Sequence, residues 1–160
     1  MSTKEVSADT ITAKRFQLVG DNGELRALMK TVSDNPILEF LDSSSQVRLN
    51  IQISNDWPIL NMMDKNGNVC IELGTINDKP TLFFTDKNGN LRVGISLSRS
   101  DGSPRILFLD DQANVRFGVI ADTEGVPRVI GTDQFGTKHK LLWFSQEANP
   151  NENDDKRAST

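Results

Sequence analysis

Two stretches decide the architecture of this chain: MMDKNGNVCIEL, residues 62–73, and FTDKNGNLRVGI, residues 84–95. Both carry Asp-Lys-Asn-Gly-Asn between apolar arms, and the two glycines, Gly67 and Gly89, are 22 residues apart. Self-similarity at a fixed period of about 20–50 residues is the sequence signature of a repeat protein. The chain is therefore predicted to be an array of short tandem units.

Four further copies extend the array on both sides. LVGDNGELRALM and FLDSSSQVRLNI precede the central pair, and FLDDQANVRFGV and IGTDQFGTKHKLL follow it. The equivalent positions along the chain are Gly23, Ser45, Gly67, Gly89, Ala113 and Gly136. The last two steps are longer than 22 residues, and the connecting segments SRSDGSP and ADTEGVP are expected to absorb the difference. The sequence thus predicts six units of about 22 residues.

Each unit has the pattern of a β-hairpin. In the arm after the turn, Val47, Leu49 and Ile51 alternate with Arg48 and Asn50. Alternation with a period of two indicates a strand with one buried face. The arm before the turn is apolar on both sides, as in LFF at residues 82–84. We expect this second apolar side to be covered as well.

The Asp-x-x-Gly element predicts the hairpin turn. A type I turn favours aspartate at its first position and needs a left-handed residue at its end, which glycine provides without steric cost. The copies with Ser45 and Ala113 must adopt that conformation at a cost or use another loop. The residues assigned to the turns are Asp42, Asp64, Asp86, Asp110, Asp133, Gly23, Gly67, Gly89 and Gly136.

Isolated hairpins are only marginally stable, so neighbouring units are predicted to pair into one sheet. The expected fold is all-β: six hairpins in an antiparallel meander of about twelve strands that curls into a barrel or a spiral sheet. A β-solenoid and an interleaved oligomer are the alternatives. We expect a flexible lead at residues 1–10, the six-repeat domain at residues 11–145 and a disordered polar tail at residues 146–160.

An arginine follows the repeat position by three residues in four units, and Cys70 and His139 take its place in the other two. The simplest interpretation is a set of partly exposed Asp–Arg pairs, each contributing about 0–1 kcal/mol. The functional alternative is a periodic surface that binds a repetitive or anionic ligand. The candidate binding residues are Arg26, Arg48, Arg92 and Arg116.

Other chemistry has little support in the sequence. There is one histidine, no phosphate-binding glycine loop and no nucleophile elbow, and the Asp-Lys-Asn-Gly-Asn run lacks the late glutamate of a calcium loop. We therefore expect no catalytic residue, no metal site and no cofactor. The net charge of −4 argues against nucleic acid or an anionic membrane as partner.

Cys70 is the single cysteine, and the chain shows no apolar run of membrane-spanning length and no secretory signal pattern. A cytoplasmic protein or a virion component is the expectation.

The units, as in FTDKNGNLRVGI, resemble bacterial proteins built from F-x-D-x-x-G-x-x-R hairpin repeats of unassigned function. The resemblance covers most of residues 11–144, where ITAKRFQLVGDNGELRALM and FGTKHKLLWF are similar to the start and finish of such arrays. A fainter likeness connects the units to the YD repeats of RHS shell proteins, although this chain has no tyrosine. VSADTITA is similar to phage tail-fibre segments. None of these resemblances implies a catalytic residue.

These observations favour a noncatalytic structural or protein-interaction module whose partner is itself or another protein. The motivation is the second apolar side of the arms before the turn, with Phe83 and Leu107, which would be an exposed patch on a monomer. The alternatives are a ligand-binding surface along the Asp and Arg columns and a phage or virion fibre component.

Overall fold

The computed structural model describes residues 6–121, 123–133 and 135–143. The predicted lead lies partly outside these residues and the predicted polar tail wholly outside. The described residues form twelve strands and no helix. The strands are β1 (Arg15–Val19), β2 (Leu25–Val32), β3 (Asn35–Leu41), β4 (Val47–Ser54), β5 (Trp57–Met63), β6 (Val69–Ile76), β7 (Lys79–Thr85), β8 (Leu91–Leu97), β9 (Pro104–Leu109), β10 (Val115–Ala121), β11 (Pro127–Thr132) and β12 (Lys138–Trp143).

All twelve strands belong to one antiparallel sheet, in which the spatial order is the order of the chain. Every strand therefore pairs with its neighbours in sequence, and the predicted meander of hairpin repeats is confirmed. Among the described residues, β1 pairs only with β2 and β12 only with β11, so the sheet is not closed. Of the two curled forms expected, a barrel and a spiral sheet, the closed barrel is therefore excluded. Consecutive described strands pair directly, without the crossover connections of a solenoid.

The turns within the units have the predicted geometry. In the second unit the amide of Ser45 donates to the carbonyl oxygen of Asp42, and the amide of Asp42 donates to the carbonyl oxygen of Gln46. The last residue of each such turn is left-handed, with φ of 85° at Gly67, as a type I turn followed by a bulge requires. Ser45 and Ala113 adopt the same conformation, with φ of 59° and 64°. These two units therefore keep the loop and accept the steric cost.

The turns between units are of two kinds. The first three are two-residue loops with both central residues left-handed, which is the type I′ turn that matches the twist of a hairpin. They lie at Ser33-Asp34, Asn55-Asp56 and Asn77-Asp78. The other two, between β8 and β9 and between β10 and β11, are longer. The extra residues of the array thus sit where the repeat spacing predicted them.

The described part of the chain has almost no apolar core of its own. Ala27 and Leu28 are its only buried hydrophobic residues, and no large side chain is fully buried. A domain of this size ordinarily packs two layers around a hydrophobic centre. Here the contacts between elements join consecutive strands only, so the described strands form a single layer.

Candidate functional site: an apolar sheet face

The strand register separates the sheet into two faces. Residues opposite each other on paired strands point the same way, as do residues two apart on one strand. One face, called the apolar face below, consists of two long rows and a third row near the turns between units. In the third row prolines pair with Thr31, Ile53, Thr75, Leu97 and Ala121. The first row is Leu18, Ala27, Phe40, Leu49, Met62, Ile71, Phe84, Val93, Phe108 and Phe117. The second is Phe16, Met29, Leu38, Ile51, Leu60, Leu73, Leu82, Ile95, Ile106, Val119 and Val129.

No other described part of the chain covers the apolar face, and the face is uncharged from β1 to β11. No charged residue occupies these rows from β1 to β11. Fifteen large hydrophobic residues in the described strands are exposed, and all except Val19 and Val32 belong to this face. Leu73, in the middle of the second row, keeps half of its surface accessible. The side that the alternation predicted to be buried is therefore the exposed side of the chain.

The exposed apolar area is large for a single chain. With about 80 Å² exposed on each of the thirteen side chains, the face offers about 1,000 Å² of apolar surface, since a large side chain has roughly 150–250 Å² to bury. The largest apolar patch on an ordinary monomer is about 300–600 Å². A stable protein–protein interface takes about 800 Å² from each partner. The apolar face thus has the dimensions of an interface.

The opposite side, called the mixed face below, is the less exposed one. Its central row is Gln17, Leu28, Glu39, Asn50, Asn61, Glu72, Phe83, Gly94, Leu107, Gly118 and Ile130. Phe83 and Leu107, which the sequence suggested as the exposed patch, lie in this row and are half-buried. The side expected to be exposed on a monomer is therefore the less exposed of the two.

Small residues explain why the mixed face is shielded without a second layer. A Cβ atom on Gly118 would lie 2.9 Å from Leu107 Cδ2, so the leucine leans over a position that only glycine leaves free. A Cβ atom on Gly74 would lie 2.6 Å from the carbonyl oxygen of Pro58. Close approaches of this kind accompany the bending of a sheet. The sheet therefore curls with the mixed face on the inside.

Two pairs of polar side chains lie on the first half of the mixed face. Lys30 Nζ lies 3.0 Å from Glu39 Oε2, and Asn61 Nδ2 donates to Asn50 Oδ1 at 3.2 Å. Both asparagines are buried, and Asn61 Oδ1 has no hydrogen-bond partner. A buried amide oxygen without a hydrogen-bond partner lowers the free energy of unfolding, so the stability of the chain should be sensitive to mutation of this pair.

The turn aspartates act as caps for their loops. Asp64 Oδ1 accepts hydrogen bonds from the amides of Asn66 and Asn68, at 2.8 and 2.9 Å. The side chain of Asn68, followed by its backbone amide, holds the pKa of Asp64 below its usual range. At Asp133, a hydrogen bond with His139 contributes most to lowering the pKa to about 2. In all five of these units the aspartate Oδ1 accepts a hydrogen bond from the amide two residues further along the loop.

The arginines connect neighbouring turns. Arg26 Nη1 donates to the carbonyl oxygen of Asp42 at 2.8 Å, and Arg48 Nε donates to that of Met63 at 3.0 Å. Each carbonyl belongs to the turn region of the next unit. Arg116 makes the equivalent bond to Asp133 and also an ion pair with Asp110 at 2.7 Å.

Arg92 pairs with Asp86 at 3.6 Å, whereas Cys70 replaces the arginine in its unit. The arginine column is thus occupied by contacts within the chain, a role that the spacing alone did not reveal. Its use as a ligand-binding surface stays a prediction.

The chain matches no protein-family model and no curated protein. Within the described residues, no cluster of three His, Cys, Asp or Glu side chains could hold a metal ion. The same part of the chain contains no helix with the length and hydropathy needed to cross a membrane.

Proposed function

We propose that this protein is a noncatalytic structural module that associates with a second copy of itself through the apolar face. The observation that carries the proposal is the combination of about 1,000 Å² of exposed apolar surface with almost no apolar core. Burying that area would contribute about 25 kcal/mol for each chain before the costs of association are subtracted. A single layer of sheet gains its missing second layer when two such faces meet.

The chemistry of the apolar face favours a second copy over a different protein. A face without charges carries no electrostatic pattern that would select an unlike partner. Its two rows run through ten and eleven strands with similar side chains, so the face can pack against itself about a two-fold axis. Two sheets packed in this way lie about 10 Å apart, as in a β-sandwich.

Light scattering after size-exclusion chromatography tests the proposal directly. We expect a dimer or larger species, with a mass that is a multiple of 17.8 kDa. A monodisperse monomer that stays folded at about 10 μM, a concentration well above the Kd expected for such an area, would refute it.

Replacing Arg48, Arg92 and Arg116 together tests the ligand-binding alternative, which expects the variant to lose ligand binding while it still folds. Because two of these side chains bond to neighbouring turns, their loss should lower stability without changing the mass.

A further inference from the structure

The mixed face contains a depression over β8. Two of the residues of this strand that face inward, Gly94 and Ser96, are small, whereas the neighbouring strands carry Phe83 and Leu107 at the level of Gly94. The large side chains form two walls and the small ones form the floor. The resulting cavity has a volume of about 140 Å³. A cavity of about 150 Å³ with apolar walls is large enough to hold benzene.

One end of this cavity is cationic. Lys79, Arg99 and Arg105 line it, and no acidic residue does. Lys79 Nζ donates to the carbonyl oxygen of Ser98 at 3.0 Å, and Arg105 Nε donates to Ser96 Oγ at 3.2 Å. Among the described residues neither cation has a carboxylate within ion-pair distance.

Lys79 and Arg105 differ in this respect from cations elsewhere in the sheet. On the same face Lys30 has Glu39 as its partner, and four of the turn-region arginines have Asp or Glu. Half-buried charges in proteins are ordinarily paired, because their desolvation is costly. This chain has a net charge of −4, yet Lys79 and Arg105 lie beside an apolar cavity without an acidic partner. The cavity therefore provides a place for an external anion.

We infer that this cavity is a binding site for a small monocarboxylate with a compact apolar body. The body lies between Phe83 and Leu107 over Gly94, and the carboxylate lies at the end formed by Lys79, Arg99 and Arg105. Guanidinium groups bind carboxylates with charge-assisted hydrogen bonds. The site lies on the side opposite the apolar face, so it does not depend on the proposed self-association.

Benzoate is the probe, and isothermal titration calorimetry on the full chain is the assay. We expect saturable binding of one benzoate per chain, with benzyl alcohol at least about tenfold weaker because it lacks the charge. Gly94→Val should weaken benzoate binding by about tenfold or more, since it fills the cavity. A Cβ atom at Gly94 would lie 3.5 Å from the Phe83 ring, an ordinary contact, so the backbone at this position tolerates a side chain.

Two charge variants separate the site from general electrostatics. Arg105→Gln should weaken benzoate binding severalfold. Arg92→Gln makes the same change of charge outside the cavity and should leave the affinity within about twofold. The inference is overturned if benzoate does not bind at about 10 mM, or if folded Gly94→Val binds it as the wild type does. The inference is also overturned if inorganic phosphate displaces benzoate and binds with the same affinity, since the apolar walls would then contribute nothing to binding.

Discussion

Replacing Leu73 with lysine places a charge in the middle of the apolar face. Leu73 lies on β6, pairs with Leu60 and Leu82 across the sheet, and is half exposed. About 80 Å² of its surface is left for a partner to bury, which is worth about 2 kcal/mol. In a two-fold dimer the change occurs twice, so the loss is about 4 kcal/mol. This corresponds to a dissociation constant about a thousandfold higher, before the cost of burying a lysine is added.

The assay is sedimentation velocity over a dilution series, with unfolding by urea measured on the same samples. Val32→Lys is the matched control, because Val32 is 53% exposed, compared with 50% for Leu73, and lies outside the apolar face. We expect Leu73→Lys to shift the assembly toward the monomer while Val32→Lys leaves its mass unchanged. If Leu73→Lys keeps the wild-type mass at every concentration, the apolar face is not the interface and the reasoning fails.

Three further predictions concern the single chain. Ala113→Gly removes the strain of a left-handed alanine and should raise the free energy of unfolding by up to about 1 kcal/mol, whereas Gly67→Ala should lower it by about 1 kcal/mol. Urea titration measures both changes, and equal unfolding midpoints for the two variants and the wild type would contradict this prediction. Asn50→Val leaves the side-chain amide of Asn61 without its acceptor and should lower the free energy of unfolding by about 1–3 kcal/mol. Changing both residues to valine should lower it by less. A double-mutant cycle that gives no coupling energy between Asn50 and Asn61 would contradict this prediction. The carboxylate of Asp133 has a folded-state pKa of about 2, below its unfolded value, so its contribution to stability is present above the unfolded pKa and lost as the pH falls toward 2. Thermal unfolding of the wild type between neutral and acid pH should show this loss, and Asp133→Asn should reduce it; an unchanged acid slope in the variant would exclude Asp133 as its source.

The repeat was sufficient to predict the fold because it determines local structure in every unit. The Asp-x-x-Gly element fixes the turn, and the alternation around Leu49 fixes the register of the strands that follow. Short connections then leave antiparallel pairing of consecutive strands as the simplest arrangement. The twelve-stranded meander follows from these three facts.

The sequence did not predict which side of the sheet is exposed. Alternation shows that the two sides differ, but it does not show whether the chain itself covers the apolar one. The curl of the sheet is accompanied by close approaches at Gly74 and Gly118, which are set by the three-dimensional register. For this reason Phe83 and Leu107 were expected in an exposed patch, although they are half-buried.

The role of the arginines was hidden for a similar reason. A spacing of three residues from the turn suggests a contact with the aspartate of the same unit, which Arg116 makes with Asp110. The bonds from Arg26 and Arg48 to carbonyl oxygens in the next unit depend on how neighbouring turns are staggered. That stagger is a property of the whole sheet and is not encoded in one repeat.

The pairing of each strand with its sequence neighbours alone has a consequence for folding and for evolution. The contacts of the sheet are local in sequence, and chains with low contact order fold fast for a β-protein. Each unit contacts only the two beside it, so stability should accumulate unit by unit, as in a one-dimensional array. Excising one 22-residue period, such as residues 65–86, rejoins equivalent positions and keeps every remaining side chain on its own face. Gene duplication and deletion can therefore lengthen or shorten this sheet in whole hairpins.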